Sequence, residues 1–222
     1  MRIESVQTDK PTNREERVES INDSVAFKNR GTIGVILLAP LGVALAFSNP
    51  IVMRGTLLDI LMDALGWILF GLYLTFRIWS TLYIGGKKDK ELQTRGPYSV
   101  TRNPLYFGSL CFALSAACFF KSFSFVLMIC ITGIIYLGGV IRAEERFLKK
   151  KFGKTFDEFA RRTPRLFPSP SLYASDDFVE VKMPAIKTEA RRLWLSVLLP
   201  ISAEMIMYLR LAPWWPHWFT LP

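Results

Sequence analysis

The sequence predicts an all-α fold, a polytopic membrane helical bundle of about five transmembrane helices. Three observations predict it. Half of the 222 residues are hydrophobic. They gather in runs without a single charge, at 31–53, 105–120 and 122–141, whereas a bilayer core takes roughly 20 apolar residues per helix and soluble core helices are seldom charge-free for so long. The basic residues cluster between these runs instead of being spread along the chain.

The elements follow in order. Residues 1–30 are polar, with six bases facing six acids, and read as a cytosolic extension without the apolar core of a secretory leader. The membrane domain is expected over 31–222, with spans near 32–48, 62–83, 105–120, 123–141 and 193–211. Lys87, Lys88, Lys90, Arg95 and Arg102 follow the second span, and a longer basic series from Arg142 to Lys187 follows the fourth. The opposite connections offer only Arg54 and Lys121. The positive-inside rule then puts the N-terminus and both basic segments in the cytosol and the C-terminus outside. The tail Trp214-Trp215-Pro216-His217-Trp218-Phe219 suits an outer aromatic belt.

The net charge of +9 is thus largely a topology signal and an attraction to anionic headgroups, not the footprint of a nucleic-acid partner. One histidine and three cysteines without a CxxC pair exclude a histidine-rich metal enzyme, and no metal site is expected. Lys121 alone, with a residue or two, separates the third and fourth spans, so these form a tight helical hairpin. Gly108, Gly133, Gly138 and Gly139 permit close helix approach.

Two segments expected on the cytosolic side bracket that hairpin. The first, 94–108, turns at Gly96-Pro97 and starts a helix at Pro104, which leaves Arg102 and Asn103 at a helix N-terminus. Free backbone N–H groups beside a guanidinium make a natural anion site. The second continues the fourth span through Glu144 and Glu145, where Arg142 and Glu145 stand three apart on one helix face. Arg77 and Glu204 are intramembrane charges, which are functional candidates by default. Snorkelling is the other reading of Arg77, and a pair with Arg210 or another helix that of Glu204. Asp59 and Asp63 are expected at the outer interface.

Taken together, Gly96-Pro97-Tyr98, Arg102-Asn103-Pro104-Leu105-Tyr106-Phe107-Gly108, Glu144-Glu145-Arg146-Phe147-Leu148, Phe152-Gly153-Lys154-Thr155-Phe156 and Pro164-Arg165 resemble the isoprenylcysteine carboxyl methyltransferase and phospholipid methyltransferase superfamily. Its members carry G-P-Y, R-H-P-x-Y-x-G, a hairpin, E-E-x-x-L, F-G-x-x-Y and a closing P-R in this order. Asn103 stands where histidine is usual, and Phe156 where tyrosine is common. Asparagine hydrogen-bonds but does not titrate near neutrality, so no mechanism that protonates a histidine here carries over.

The resemblance implies a cytosolic pocket for S-adenosylmethionine lined by Tyr98, Arg102, Asn103, Tyr106, Glu144 and Glu145, with Arg102, Glu145 and Glu144 as the catalytic candidates. It implies methyl transfer to a lipophilic small molecule or lipidated substrate reached through the bilayer, including the carboxylate of a prenylcysteine-like substrate. An NADPH-dependent reductase of the sterol-reductase type shares the R-H-P-x-Y-x-G element, but usually lacks the paired acids and has more spans. A non-catalytic scaffold is the third reading. A transporter is disfavoured, because no inverted repeat is visible.

Overall fold

The computed structural model describes residues 40, 42–49, 51–84 and 91–218. The polar extension 1–30, most of the expected first span and Lys87, Lys88 and Lys90 lie outside these residues. Among the described residues the elements are helical and no strand occurs: α1 (Leu57–Ile84), α2 (Pro97–Val100), α3 (Pro104–Phe120), α4 (Phe123–Phe152), α5 (Lys154–Arg162), a 3₁₀ turn (Pro170–Leu172), α6 (Met183–Ser196) and α7 (Leu198–Leu211).

Helix α1 contains the expected second span, and its 28 residues make it about 42 Å long at a rise of 1.5 Å per residue. Its buried residues are Asp59, Gly66, Phe70, Tyr73, Phe76, Ser80 and Tyr83, a single stripe at steps of three, four or seven. The rest of the helix exposes Leu58, Leu61, Leu65, Ile68 and Leu72. α1 and the 29-residue stretch Met183–Leu211 are both long and apolar enough to cross a bilayer, and only 28% of each apolar window is buried within the chain. A core helix of a soluble protein would be covered by its own chain. These two present their apolar surface outward, as lipid contact demands.

The core is built around α1 and α3, which run antiparallel. Asp59 and Asp63 lie level with Lys121, Gly66 with Phe119 and Gly108 with Phe76 and Arg77. At the other end Gly96 packs on Tyr83. A side chain at Gly108 would already touch the Phe76 Cβ, so this glycine does permit the expected close approach. At Gly133, Gly138 and Gly139 no such approach is seen among the described residues, where an added Cβ meets nothing within 4 Å. Phe70, Tyr73, Cys111, Ala117, Phe119 and Phe120 fill the α1–α3 contact, and Leu193 and Ala203 join the core from α6 and α7.

The hairpin between α3 and α4 is as tight as expected. Lys121 adopts the left-handed conformation at φ 51°, and its N–H donates to the Cys118 carbonyl. Ser122 caps α4 by accepting from the Phe125 N–H. Left-handed backbone is costly for a side chain, but here it turns the Lys121 ammonium back onto α1, where it pairs with Asp59 and, at 3.0 Å, with Asp63. Asp59 is also fixed locally. Its N–H donates to Thr56 Oγ1 and its carboxylate accepts from the Gly55 N–H, so it closes the first turn of α1.

The expected fifth span begins earlier than 193 and is broken. α6 starts at Met183 and α7 at Leu198, with Val197 between them. Pro200 explains the break: it has no N–H for the Ser196 carbonyl, and its ring crowds that carbonyl. Arg210 and Glu204 do not pair. Arg210 donates from Nε to the Ser48 carbonyl at 2.9 Å and from Nη2 to Ser48 Oγ at 3.0 Å. Glu204 meets Arg54 at 3.4 Å, and that guanidinium lies over the Tyr208 ring. In the aromatic tail, Trp215 and Trp218 stack on Phe47, so part of the expected belt closes on the end of the first span.

Lys121→Ala is expected to cost about 3 kcal/mol in denaturant unfolding in micelles, because it strands Asp59 as a buried charge. Asp63→Ala should cost about 1 kcal/mol or less, since this carboxylate is partly solvated.

Candidate functional site

At the end of the bundle opposite Lys121, two irregular segments zip together and hold the residues that the sequence singled out. Gly96 has φ 59°, and a Cβ there would run into the Tyr83 ring, so only glycine makes this turn. Pro97 then opens α2 and buries Tyr98. From there the chain is tied at almost every residue to the stretch after α5. The Gly96 N–H donates to the Ala174 carbonyl at 2.7 Å, the Ala174 N–H to Ser99 Oγ at 3.0 Å, and the Ser169 N–H to the Val100 carbonyl at 2.9 Å. Thr101 Oγ1 donates to the Leu166 carbonyl at 2.9 Å and the Arg102 N–H to the Pro164 carbonyl at 2.9 Å. Asn103 Nδ2 donates to the Arg165 carbonyl at 2.8 Å.

This clasp presents Arg102 and Arg165 to Glu145 on α4. Arg102 Nη2 lies 3.3 Å from Glu145 Oε1, and Arg165 Nη2 lies 2.8 Å from Oε2. The side chains of Arg102 and Glu145 are 13% and 11% exposed, that of Arg165 51%. Two guanidinium groups on one carboxylate leave a net positive charge in a largely desolvated place. Burial pulls the Arg102 guanidinium below its ordinary range, with Glu145 opposing the shift and Arg165 adding to it. The contact of Arg102 with Oε1 is an ion pair and not an aligned hydrogen bond. Arg102 Nε and Glu145 Oε1 are both buried without a hydrogen-bond partner.

Glu144, the neighbouring acid, accepts a 2.7 Å hydrogen bond from the Tyr106 hydroxyl, which joins α4 to the first turn of α3. The Tyr98 hydroxyl is buried and unpartnered. Burial pushes its ionisation far above the ordinary phenol range, Glu144 raises it further, and Arg77 acts in the opposite direction. Tyr98 is therefore a neutral hydrogen-bond donor at neutral pH.

The six expected residues thus lie around one end of α3 and α4, with two departures in role. Arg142 is exposed, and Glu145 turns instead to Arg102 and Arg165. The side-chain donor of Asn103 is committed to the backbone of Arg165. Arg77 does not snorkel freely. Its Nε and Nη2 both lie 2.5 Å from Glu189 Oε1 on α6, and Arg192 also reaches Glu189, at 3.4 Å. Sequence reasoning missed Glu189, and it quoted Arg165 in a motif without giving it a role. The closing Pro164-Arg165 was the available signal for the second. Nothing local marks Glu189.

The model of the phospholipid methyltransferase family matches residues 59–155, a stretch that includes all six expected site residues. The nickel-cobalt-cadmium resistance protein NccN of Alcaligenes xylosoxydans xylosoxydans is 32% identical over 148 residues, which cover 66% of this chain and 68% of that protein. The chain belongs to the phospholipid methyltransferase family. The cobalt-zinc-cadmium resistance protein CzcN of Cupriavidus metallidurans is 38% identical over 122 residues, 55% of this chain. That match spans 56%, little more than half, of the CzcN length. No solved structure matches. The family match ends before Arg165 and Glu189, so the second guanidinium on Glu145 and the partner of Arg77 come from outside it. Family and helices together make this a membrane protein. Among the described residues, no group of three or more His, Cys, Asp or Glu side chains is placed to hold a metal ion.

Tyr98→Phe should leave stability at neutral pH unchanged or raise it by about 1 kcal/mol, because it removes a buried hydroxyl without a partner. Burial raises the folded phenol's pKa, so it adds no pH dependence well below the unfolded tyrosine pKa of about 10, and above that value ionisation of the unfolded chain lowers wild-type stability. Thermal unfolding from pH 7 to 11 should show a shallower alkaline decline for the variant.

Proposed function

We propose that this chain is an S-adenosylmethionine-dependent methyltransferase that acts on a lipophilic acceptor at the cytosolic face of the membrane. The observation that carries the reading is a set of unmet hydrogen bonds. Four buried side-chain polar atoms lack a partner among the described residues, and three of them are Tyr98 Oη, Arg102 Nε and Glu145 Oε1. Buried polar groups are normally satisfied, and exceptions mark places where something else binds. Two donors, one acceptor and a net positive pair of guanidiniums fit the amino-acid end of the cofactor. Arg102 and Tyr98 would hold its carboxylate and Glu145 its ammonium.

When bound, S-adenosylmethionine supplies an electrophilic methyl group on a sulfonium. The protein's part in an in-line displacement is mainly positioning. Arg165 and Arg102 hold the Glu145 carboxylate still between them. Tyr106 holds Glu144 on the same helix, where its negative charge favours a cation. The clasp between 96–103 and 164–174 carries these side chains at a helix end, out of the bilayer core.

The acceptor class follows from what the two acids already do. Glu145 is held by two cations, and Glu144 accepts from Tyr106. Neither is placed as a free base, Asn103 cannot be one, and the single histidine, His217, lies at the far end of the chain sequence. Acceptors that attack without losing a proton are favoured, above all a carboxylate such as that of a prenylcysteine-like lipid. The charge pattern supports five spans, with this end and the N-terminus in the cytosol and the C-terminus outside. The names of the two relatives place those proteins in resistance to metal ions. A share of this chain in such resistance would run through methylation of a membrane component.

Methyl-labelled S-adenosylmethionine supplied to the purified protein in bilayers with native lipid extract tests the proposal. Label is expected in the lipid phase, in an alkali-labile ester, and Glu145→Gln should lower it about a hundredfold or more. Undiminished transfer by the variant removes Glu145 from the site. No cofactor binding by wild type sinks the methyltransferase reading.

A further inference from the structure

The fourth unpartnered buried atom is the hydroxyl of Ser80, which the methyl-transfer reading does not use. Ser80 is fully buried near the end of α1. Phe76 and Tyr83 lie one turn to either side of it on the same buried stripe. Phe76 packs on Phe107 of α3 with ring centroids 4.7 Å apart, and Tyr83 lies beneath Gly96. Ser80 is therefore level with the first turn of α3, the turn that Pro104 opens without an N–H to offer. A serine in a helix ordinarily bonds back to a carbonyl of the preceding turn, as Thr75 and Thr81 do on this helix. Ser80 does not, and among the described residues its hydroxyl has no partner.

A continuous run of aromatic rings passes one helical turn from that position, at Phe76. Trp79, the residue beside Ser80, packs on Phe76 at 5.8 Å and on Tyr173 at 5.8 Å. Phe76 leads to Phe107, and Phe107 to Phe167 at 6.5 Å. The buried end of the run is Phe76, whereas Phe167 and Tyr173 are exposed. These rings join α1 and α3 to the segment after α5, outside the Arg102–Glu145–Arg165 cluster. An apolar wall one helical turn from an unpaired hydroxyl suits a ligand with a greasy body and a hydrogen-bond-accepting head.

We propose that Ser80 is a binding residue for the methyl acceptor, a lipid-like carboxylate whose head accepts a hydrogen bond from Ser80 Oγ while its chain lies along Trp79, Phe76, Phe107 and Phe167. The assignment rests on the methyl-transfer reading for the word acceptor. The site itself is a lipid-carboxylate site whether or not transfer follows. Ser80 and Tyr98 divide the two ligands: Tyr98 serves the cofactor and Ser80 the acceptor.

The test uses the full chain in nanodiscs and a nitroxide-labelled stearic acid as the probe. Quenching of Trp79, isolated by subtracting the signal of Trp79→Phe, should saturate with the labelled acid and rise only linearly with a nitroxide-labelled alkane of equal length. Ser80→Ala should weaken saturable quenching about three- to tenfold, the worth of one hydrogen bond. It should leave S-adenosylmethionine affinity and thermal stability unchanged, and Phe107→Leu should weaken lipid binding with the same sparing of the cofactor. Loss of cofactor affinity in Ser80→Ala with lipid binding intact would move Ser80 into the cofactor site and overturn the proposal. No change in either ligand, or no saturable quenching in wild type, would overturn it as well. Saturable lipid binding that depends on Ser80, in a protein that never binds the cofactor, would keep the lipid site and remove the methyl-transfer reading.

Discussion

Glu145 is a nearly buried carboxylate held by guanidinium groups that reach it from two different segments, Arg102 before α3 and Arg165 after α5. Removing either partner of such a buried pair leaves an uncompensated charge, which costs several kcal/mol, whereas an intact pair adds little over an apolar contact. The arrangement therefore demands that the clasp close, without itself making the fold very stable. The hydrogen bonds from Arg102, Thr101 and Asn103 to the carbonyls of 164–166 meet that demand, because they bring Arg165 to the same carboxylate. Everything at this end of the bundle hangs on the three charges being brought together.

The two ends of the antiparallel pair carry opposite signs of purpose. At the Lys121 end, one ammonium meets two carboxylates, and Asp59 also takes the Gly55 N–H. No described polar side-chain atom there is buried without a partner. At the Glu145 end, Tyr98, Arg102 and Glu145 each keep an unmet position, and Ser80 adds a fourth. A fold that satisfies its polar groups at one end is capable of doing so at the other. Unmet bonds concentrated at one end are stability given up for a ligand.

Asn103 shows how a departure from the family pattern can be absorbed. In place of a titratable ring, its amide bridges to the Arg165 carbonyl and so supports the second guanidinium on Glu145. The position keeps a structural duty in the clasp and offers no proton to move. The two acids are also engaged, Glu145 by two guanidinium groups and Glu144 by the Tyr106 hydroxyl.

Much of this was legible in the chain. Charge-free runs call for apolar helices, Pro104 marks where α3 starts, and a single lysine between two runs forces a hairpin. Gly96-Pro97 forces a turn, and the ordered motifs point to the family. These are local facts, written within a few residues or one helical turn. Which charges meet is not local. Glu145 could have turned to Arg142 three residues away, and Glu204 to Arg210, yet they pair with Arg102, Arg165 and Arg54. Periodicity says which residues share a helix face, and it is silent about what lies across from that face. The rotation of each helix is decided by packing of the whole bundle: glycine contacts along α1 and α3, the Pro200 break and the backbone clasp. Glu189 and Ser80 gained their meaning only there, because a buried ion pair and an unpaired hydroxyl are properties of neighbours that sequence does not name.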